Sequence, residues 1–211
     1  ELALAEKGIQ VYGYDTFEPL IWFWRALLGN PDALANEADS LRKYKDYYYG
    51  YRGLPKEDFN LIKEELRNEE KYSLQNAAKF YALNRSSFSG ATLSGGWSKR
   101  ASYERFTDSS ITRVREFSQP KLYVAAQHFK HSIPAHPKTF LYLDPPYLLG
   151  KDRENLYGDA GSKHKGFDHA GLVNILRERD NWILSYNNCP EILKLYEGYD
   201  IIYPDWKYGM S

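Results

Sequence analysis

Apolar positions along the chain change spacing several times, and each change marks an element. Glu1 to Ala5 reads as helix, stopped by Gly8, and Ile9 to Tyr14 is a β-rich run without helix caps. Thr16 suits a helix cap, and Trp22, Trp24 and Leu28 carry that helix to Gly29, so Asp15 falls where the strand ends. From Pro31 to about Arg85 the pattern is helical and heavily charged. Pro55 suits a first-turn position before Glu57 to Arg67, and Ser73 suits a cap before Leu74 to Leu83. Between Ser86 and Ser118 the periodicity dissolves into Ser, Thr, Gly and Arg, with Gly90 and Gly95-Gly96 as breakers. This predicts a long loop with little regular structure, and long loops inside compact domains are usually functional. The remainder alternates: strand Lys121 to Ala126, strand Thr139 to Leu143, helix near Asp168 to Arg179, strand Trp182 to Tyr186, helix Pro190 to Tyr196, strand Tyr199 to Tyr203.

Strands alternating with helices imply an α/β fold with a mostly parallel sheet covered on both faces. Composition agrees with a globular chain. Of 211 residues 43% are hydrophobic and 16% aromatic, and 28 basic residues balance 28 acidic ones, which excludes disorder as the main state. The longest apolar stretch, Leu20 to Leu28, is interrupted by Arg25 and is too short to span a membrane. A single cysteine, Cys189, cannot form an internal disulfide and fits a reducing compartment. The histidines His128, His131, His136, His164 and His169 lack metal-ligand spacing, so no metal is expected.

Charge is neutral overall but not evenly placed. Between Asn84 and Lys130 there are eight Lys/Arg (Arg85, Lys99, Arg100, Arg105, Arg113, Arg115, Lys121, Lys130) against three acids (Glu104, Asp108, Glu116). Without further context such a run is most often a solvated loop. Interleaved with Phe88, Trp97, Tyr103 and Phe106, it also suits contacts to phosphates and bases. The stretch Lys43 to Arg52 is similarly interleaved and is read as a packing hinge.

The most informative string is Phe140-Leu-Tyr-Leu-Asp144-Pro145-Pro146-Tyr147. An aliphatic strand here delivers an acid, two prolines and an aromatic to its carboxyl end, where open α/β sheets place their ligands. The Asp144 carboxylate and the Pro145 carbonyl are both acceptors, and neither proline brings an N–H to compete. Consecutive prolines also hold the backbone extended. The pair suits an exocyclic NH2 group, and Tyr147 can stack on the ring that carries it. Read blandly, the same string is a strand ending in a Pro-Pro turn with a surface tyrosine.

Asp-Pro-Pro-Tyr after an aliphatic strand resembles the catalytic motif of Dam-like adenine-specific DNA methyltransferases. The order of parts is similar too: Tyr14-Asp15 before Leu20-Ile21 and an aromatic helix, then a helical and basic insertion, then the acid-proline motif. Leu83-Asn84-Arg85-Ser86-Ser87-Phe88-Ser89-Gly90 resembles the stretch that opens DNA recognition in that class, and His164 to His169 and Trp182 to Asn187 resemble its phage-type and bacterial members.

The resemblance implies a Rossmann-like methyltransferase sheet from residues 1–30 and 116–211, with a target-recognition insertion at 31–115. It implies transfer of a methyl group from S-adenosylmethionine to the N6 amine of an adenine flipped out of double-stranded DNA, by a monomeric enzyme in the cytoplasm of a bacterium or phage-infected host. Asp144, Pro145, Pro146 and Tyr147 would be catalytic. Asp15 would bind the cofactor ribose, where its sequence context alone equally suits a helix cap, and Phe129 and Asp144 would complete the cofactor site. Arg85, Lys99, Arg100, Arg105, Arg113 and Arg115 would face DNA. Where that family commonly carries Asp-Phe, this chain has His128-Phe129. The family's glycine-rich cofactor loop is expected upstream of Glu1, with the chain a fragment cut at both ends. Methylation of RNA or of a protein amide, and DNA binding without catalysis, are the alternative readings.

Overall fold

A computed structural model describes residues 2–44, 50–148 and 166–205. The chain opens with α1 (Leu2–Glu6), closed by Gly8 at φ 82°, and enters β1 (Val11–Asp15). Then come α2 (Glu18–Gly29), α3 (Pro31–Ser40) and a small antiparallel hairpin of β2 (Lys43–Tyr44) and β3 (Arg52–Gly53). Two longer helices follow, α4 (Lys56–Arg67) and α5 (Leu74–Ser86), the second capped as expected by Ser73, whose hydroxyl accepts from the Asn76 N–H at 3.0 Å. Pro55 stands one position earlier than the sequence suggests, as the cap of α4.

Residues 86–118 are better ordered than their composition predicts. After a single 3-10 turn at Phe88–Gly90 the chain forms α6 (Lys99–Glu104) and α7 (Asp108–Arg115). The serines and threonines that read as loop are helix caps: the Ser98 hydroxyl accepts from Ala101 N–H, and Thr107 and Ser110 close a reciprocal capping box. Apolar Ala101, Phe106, Ile111 and Val114 bury themselves against the neighbouring helices.

The second half is α/β. β4 (Leu122–Ala126) pairs in parallel with β1, Val11 opposite Leu122 and Asp15 opposite Ala126. A short helix absent from the sequence reading, α8 (Phe129–Ala135), starts at His128, whose Nδ1 accepts from the Lys130 N–H at 3.2 Å. β5 (Leu141–Leu143) is joined through α9 (His169–Arg177) to a parallel partner, β6 (Trp182–Leu184), and α10 (Pro190–Leu195) follows. Apart from the β2-β3 hairpin, the described strands therefore form two separate parallel pairs, β1-β4 and β5-β6. The expected strand at Tyr199 to Tyr203 has no ladder partner among the described residues, and Ile202 is 86% exposed, because β propensity without a neighbouring edge makes no strand.

Two apolar cores result. The larger runs from Trp22 to Val114 and centres on Leu34, Leu54, Phe59, Leu83 and Phe106, all fully buried. Each such side chain contributes roughly 1.5–3 kcal/mol relative to exposure. Because Trp22, Ala26 and Leu27 lie in it, α2 packs with the helices of residues 31–115 as well as with the strands. The smaller core gathers Ile133, Leu172, Val173, Leu176, Ile192 and Tyr196 behind β5 and β6. Gly53 marks a close crossing of the larger core, since a Cβ there would stand 2.6 Å from the Ser102 carbonyl oxygen.

Candidate active site and nucleic-acid interface

Asp144 follows β5 directly, and β6 runs beside it in register: Leu143 lies opposite Leu184, and the Ser185 N–H donates to the Leu143 carbonyl at 2.9 Å. Residues 144–148 and 185–187 therefore continue side by side beyond the carboxyl ends of the two strands. Asn187 Nδ2 donates to the Leu148 carbonyl at 2.8 Å, and the Tyr147 and Tyr186 rings are 6.4 Å apart between centroids. Asp144 is exposed by surface area, yet the protein behind it withdraws enough water to raise its carboxyl above the ordinary carboxylate range.

Contacts between rings place the ends of β1 and β4 on the same side as this strand end. Phe129, three residues beyond β4, meets Phe167 at 5.2 Å; Phe167 meets His169 at 4.9 Å; and the His169 Nδ1 shares a 2.5 Å hydrogen bond with the Tyr186 hydroxyl. Burial pushes the Tyr186 phenol well above its ordinary range, so it stays neutral. Lys130 Nζ reaches Asp168 Oδ2 at 2.6 Å, and with the Gly171 N–H it holds that carboxyl below the usual range. Asp15, opposite Ala126, accepts from the Phe17 N–H at 2.7 Å through Oδ1 and stays exposed; the bond closes a turn just before α2, which itself has no side-chain cap bond. Thr16, expected to cap α2, gives way to Phe17 at the cap position. Tyr186 and Asn187 escape sequence reasoning as neighbours of Tyr147; the signal that points to them is their place at the end of the strand adjoining β5.

The basic residues divide into two kinds. Arg85 donates from Nε at 3.0 Å and Nη2 at 2.7 Å to the Arg105 carbonyl, and Arg105 donates from Nη2 to the Ser87 carbonyl. Both are engaged within the fold, and desolvation together with the neighbouring Arg85 charge lowers the Arg105 pKa. Arg115 reaches Asn36 Oδ1 at 2.8 Å and Asp32 at 3.6 Å. Lys99, Arg100 and Arg113 are exposed; Arg100 pairs with Glu104 at 2.8 Å within α6, and Arg113 Nε bonds the Ser109 carbonyl at 3.3 Å. Phe88, three residues after Arg85, is 71% exposed. Two other cations, Lys63 and Arg67 of α4, hold the loop's Gly95 and Leu93 carbonyls.

Parts of the sequence readings, at residues 1, 45–49, 164 and 165, lie outside the described residues. Among the described residues no His, Cys, Asp and Glu group could hold a metal, and no helix is long and apolar enough to cross a membrane.

A family model described as D12 class N6 adenine-specific DNA methyltransferase matches residues 1–210. No curated protein matches the chain.

Proposed function

Because the chain belongs to the D12 class N6 adenine-specific DNA methyltransferase family and so methylates adenine N6 in DNA, we propose that its donor is S-adenosylmethionine and that Asp144 to Tyr147 form the site receiving a flipped adenine from duplex DNA. One observation carries the reading: Asp144-Pro145-Pro146-Tyr147 stands at the carboxyl end of a parallel-paired strand, with the Asp144 carboxyl partly desolvated.

The residues present suit the donor. Asp15, at the end of β1, offers a carboxylate to the ribose hydroxyls, and Phe129 a ring face to the adenine. When bound, S-adenosylmethionine supplies a methyl group made electrophilic by its sulfonium. Asp144 and the Pro145 carbonyl accept the two N–H groups of the target amine, turn its lone pair toward that methyl and stabilise the positive charge that develops on nitrogen. Pro146 adds no donor that would compete, and Tyr147 stacks on the base. No strong base is required, because a methylated aryl ammonium loses its proton readily. Taking the base out of the stack costs on the order of a few kcal/mol, offset by that stacking and by cations on the phosphates.

We extend the reading to a Rossmann-like sheet comprising both parallel pairs, with residues 31–115 as recognition insertion and Lys99, Arg100, Arg113 and Phe88 as its DNA-facing groups. Exposure of these side chains supports that assignment.

The test is incubation with duplex DNA and S-adenosylmethionine carrying a labelled methyl, followed by digestion to nucleosides. Labelled N6-methyladenine is the expected product. Label found only in RNA or protein would overturn the assignment, and DNA binding without heat of S-adenosylmethionine binding in a calorimeter would favour a binding-only role.

A further inference from the structure

Tyr147 has restricting groups before it, after it and beside it. Before it stand two prolines; after it the Leu148 carbonyl is held by Asn187 at 2.8 Å; beside it lies the Tyr186 ring, 6.4 Å away and tilted by 39°. Tyr186 is itself fixed. It is half-buried, its ring meets Tyr196 at 5.9 Å and His169 at 5.7 Å, and its hydroxyl shares the 2.5 Å hydrogen bond with His169 Nδ1. His169 begins α9, whose capping residue Asp168 is tied to Lys130 beside Phe129. The brace thus starts on the side expected to hold the donor and ends on the ring expected to hold the base.

We propose that Tyr186, oriented by His169, is a positioning residue for methyl transfer: it sets the plane of the Tyr147 ring before the adenine arrives. This rests on the assignment of Tyr147 as the base clamp. Its physical basis is preorganisation. A ring already fixed by its neighbours loses little freedom on capturing a base, whereas a mobile ring must be ordered at each turnover. Because misplacement by about 1 Å can cost on the order of 100-fold in rate, the hydroxyl bond and the ring have separable effects.

The experiment compares Tyr186→Phe, Tyr186→Leu, Tyr196→Phe and Tyr147→Ala on duplexes carrying the site read from methylated DNA. One set of duplexes has 2-aminopurine in place of the target adenine. Tyr186→Phe keeps the ring and loses the His169 bond; kcat is expected to fall about tenfold with the DNA KM within about twofold. Tyr186→Leu should lower kcat about 100-fold. In both variants the flipped 2-aminopurine should be less quenched than in the wild type, a signal that a loss of stability alone would not move. Tyr196→Phe is the matched control. Its hydroxyl sits in the same core without a hydrogen-bond partner among the described residues, so removing it should leave kcat and quenching unchanged. Wild-type kcat and quenching in both Tyr186 variants, with Tyr147→Ala inactive, would overturn the positioning role alone. Wild-type turnover in Tyr147→Ala would overturn the clamp and the positioning role with it.

Discussion

Arg85, like Arg105, is a basic residue for which sequence and structure suggest different employment, and Arg85→Ala separates them. Its guanidinium donates twice to one carbonyl, that of Arg105, and Arg105 in turn donates to the Ser87 carbonyl, so the end of α5, the end of α6 and the start of the intervening loop are joined by one relay. A hydrogen bond from a charged donor is worth about 1.5–3 kcal/mol, and removing the donor leaves the carbonyl unsatisfied. Two donors on one acceptor do not double that figure, and truncation also relieves the repulsion between Arg85 and Arg105. An expected loss of about 1.5–2.5 kcal/mol follows. At roughly 2–4 °C per kcal/mol for a chain of this size, the melting temperature should fall by about 3–10 °C. Fluorescence polarisation of a labelled duplex across a salt series supplies the second reading. A residue absorbed into the fold leaves the log–log slope of DNA affinity in place, whereas a lost phosphate contact lowers it by about 0.9. An unchanged melting temperature with a lowered slope would refute the reasoning and return Arg85 to the DNA face.

Four further outcomes are expected. Asp144→Ala should lower the methylation rate by about 10²–10³; because Asp144 is exposed, its melting temperature should stay close to that of the wild type. Wild-type turnover would remove Asp144 from the chemistry. The pH–rate profile should fall on the acid side above the ordinary carboxylate range of about 4, because desolvation raises the Asp144 pKa and only the ionised form carries the charge that stabilises the developing positive nitrogen. By the same sign this group favours the folded state at low pH and loses that preference as pH rises through its folded pKa, so activity and stability should move oppositely there; a rate flat to below pH ~4 would count against it. Lys99→Ala and Arg100→Ala should each lower the salt slope by about 0.9 without changing the melting temperature, and unchanged slopes in both would place the DNA elsewhere. Lys130→Ala should raise the Asp168 pKa toward its ordinary value in a carboxyl-carbon NMR titration; the native pair favours folding above that ordinary value and loses its effect as pH falls through the depressed one.

What was legible in the sequence was what is local. Gly8, Ser73 and the apolar run before Asp144 act within a few residues of themselves, so an element end or a strand end could be read from each. α6 and α7 were missed because Ser98, Thr107 and Ser110 have side chains that serve a cap and a loop equally well, and only buried Phe106, Ile111 and Val114 decide between them. α8 was missed because it is short and carries Pro134 inside. At the site, the acceptors Asp144 and Pro145 could be read from adjacent residues, but Tyr186 and Asn187 become neighbours of Tyr147 only through the β5-β6 register. Charge was legible in sign and not in use, since nothing along the chain announces that Arg85 meets a carbonyl 20 residues away.

The loop between α5 and α6 is held mainly by its main chain. Lys63 grips the Gly95 carbonyl, Arg67 that of Leu93, Arg105 that of Ser87, Asn84 that of Gly90, and the Ser87 hydroxyl accepts from the Thr92 N–H. A carbonyl is the same whatever side chain it carries. Outward-facing positions such as Phe88 and Gly96 are therefore free to change while the scaffold beneath keeps its shape, and a surface built this way can acquire new target preferences by substitution without first losing its fold. Variants randomised at 88 and 96 should share one melting temperature while diverging in the DNA they select; a broad spread of melting temperatures would mean that frame and reading surface are inseparable.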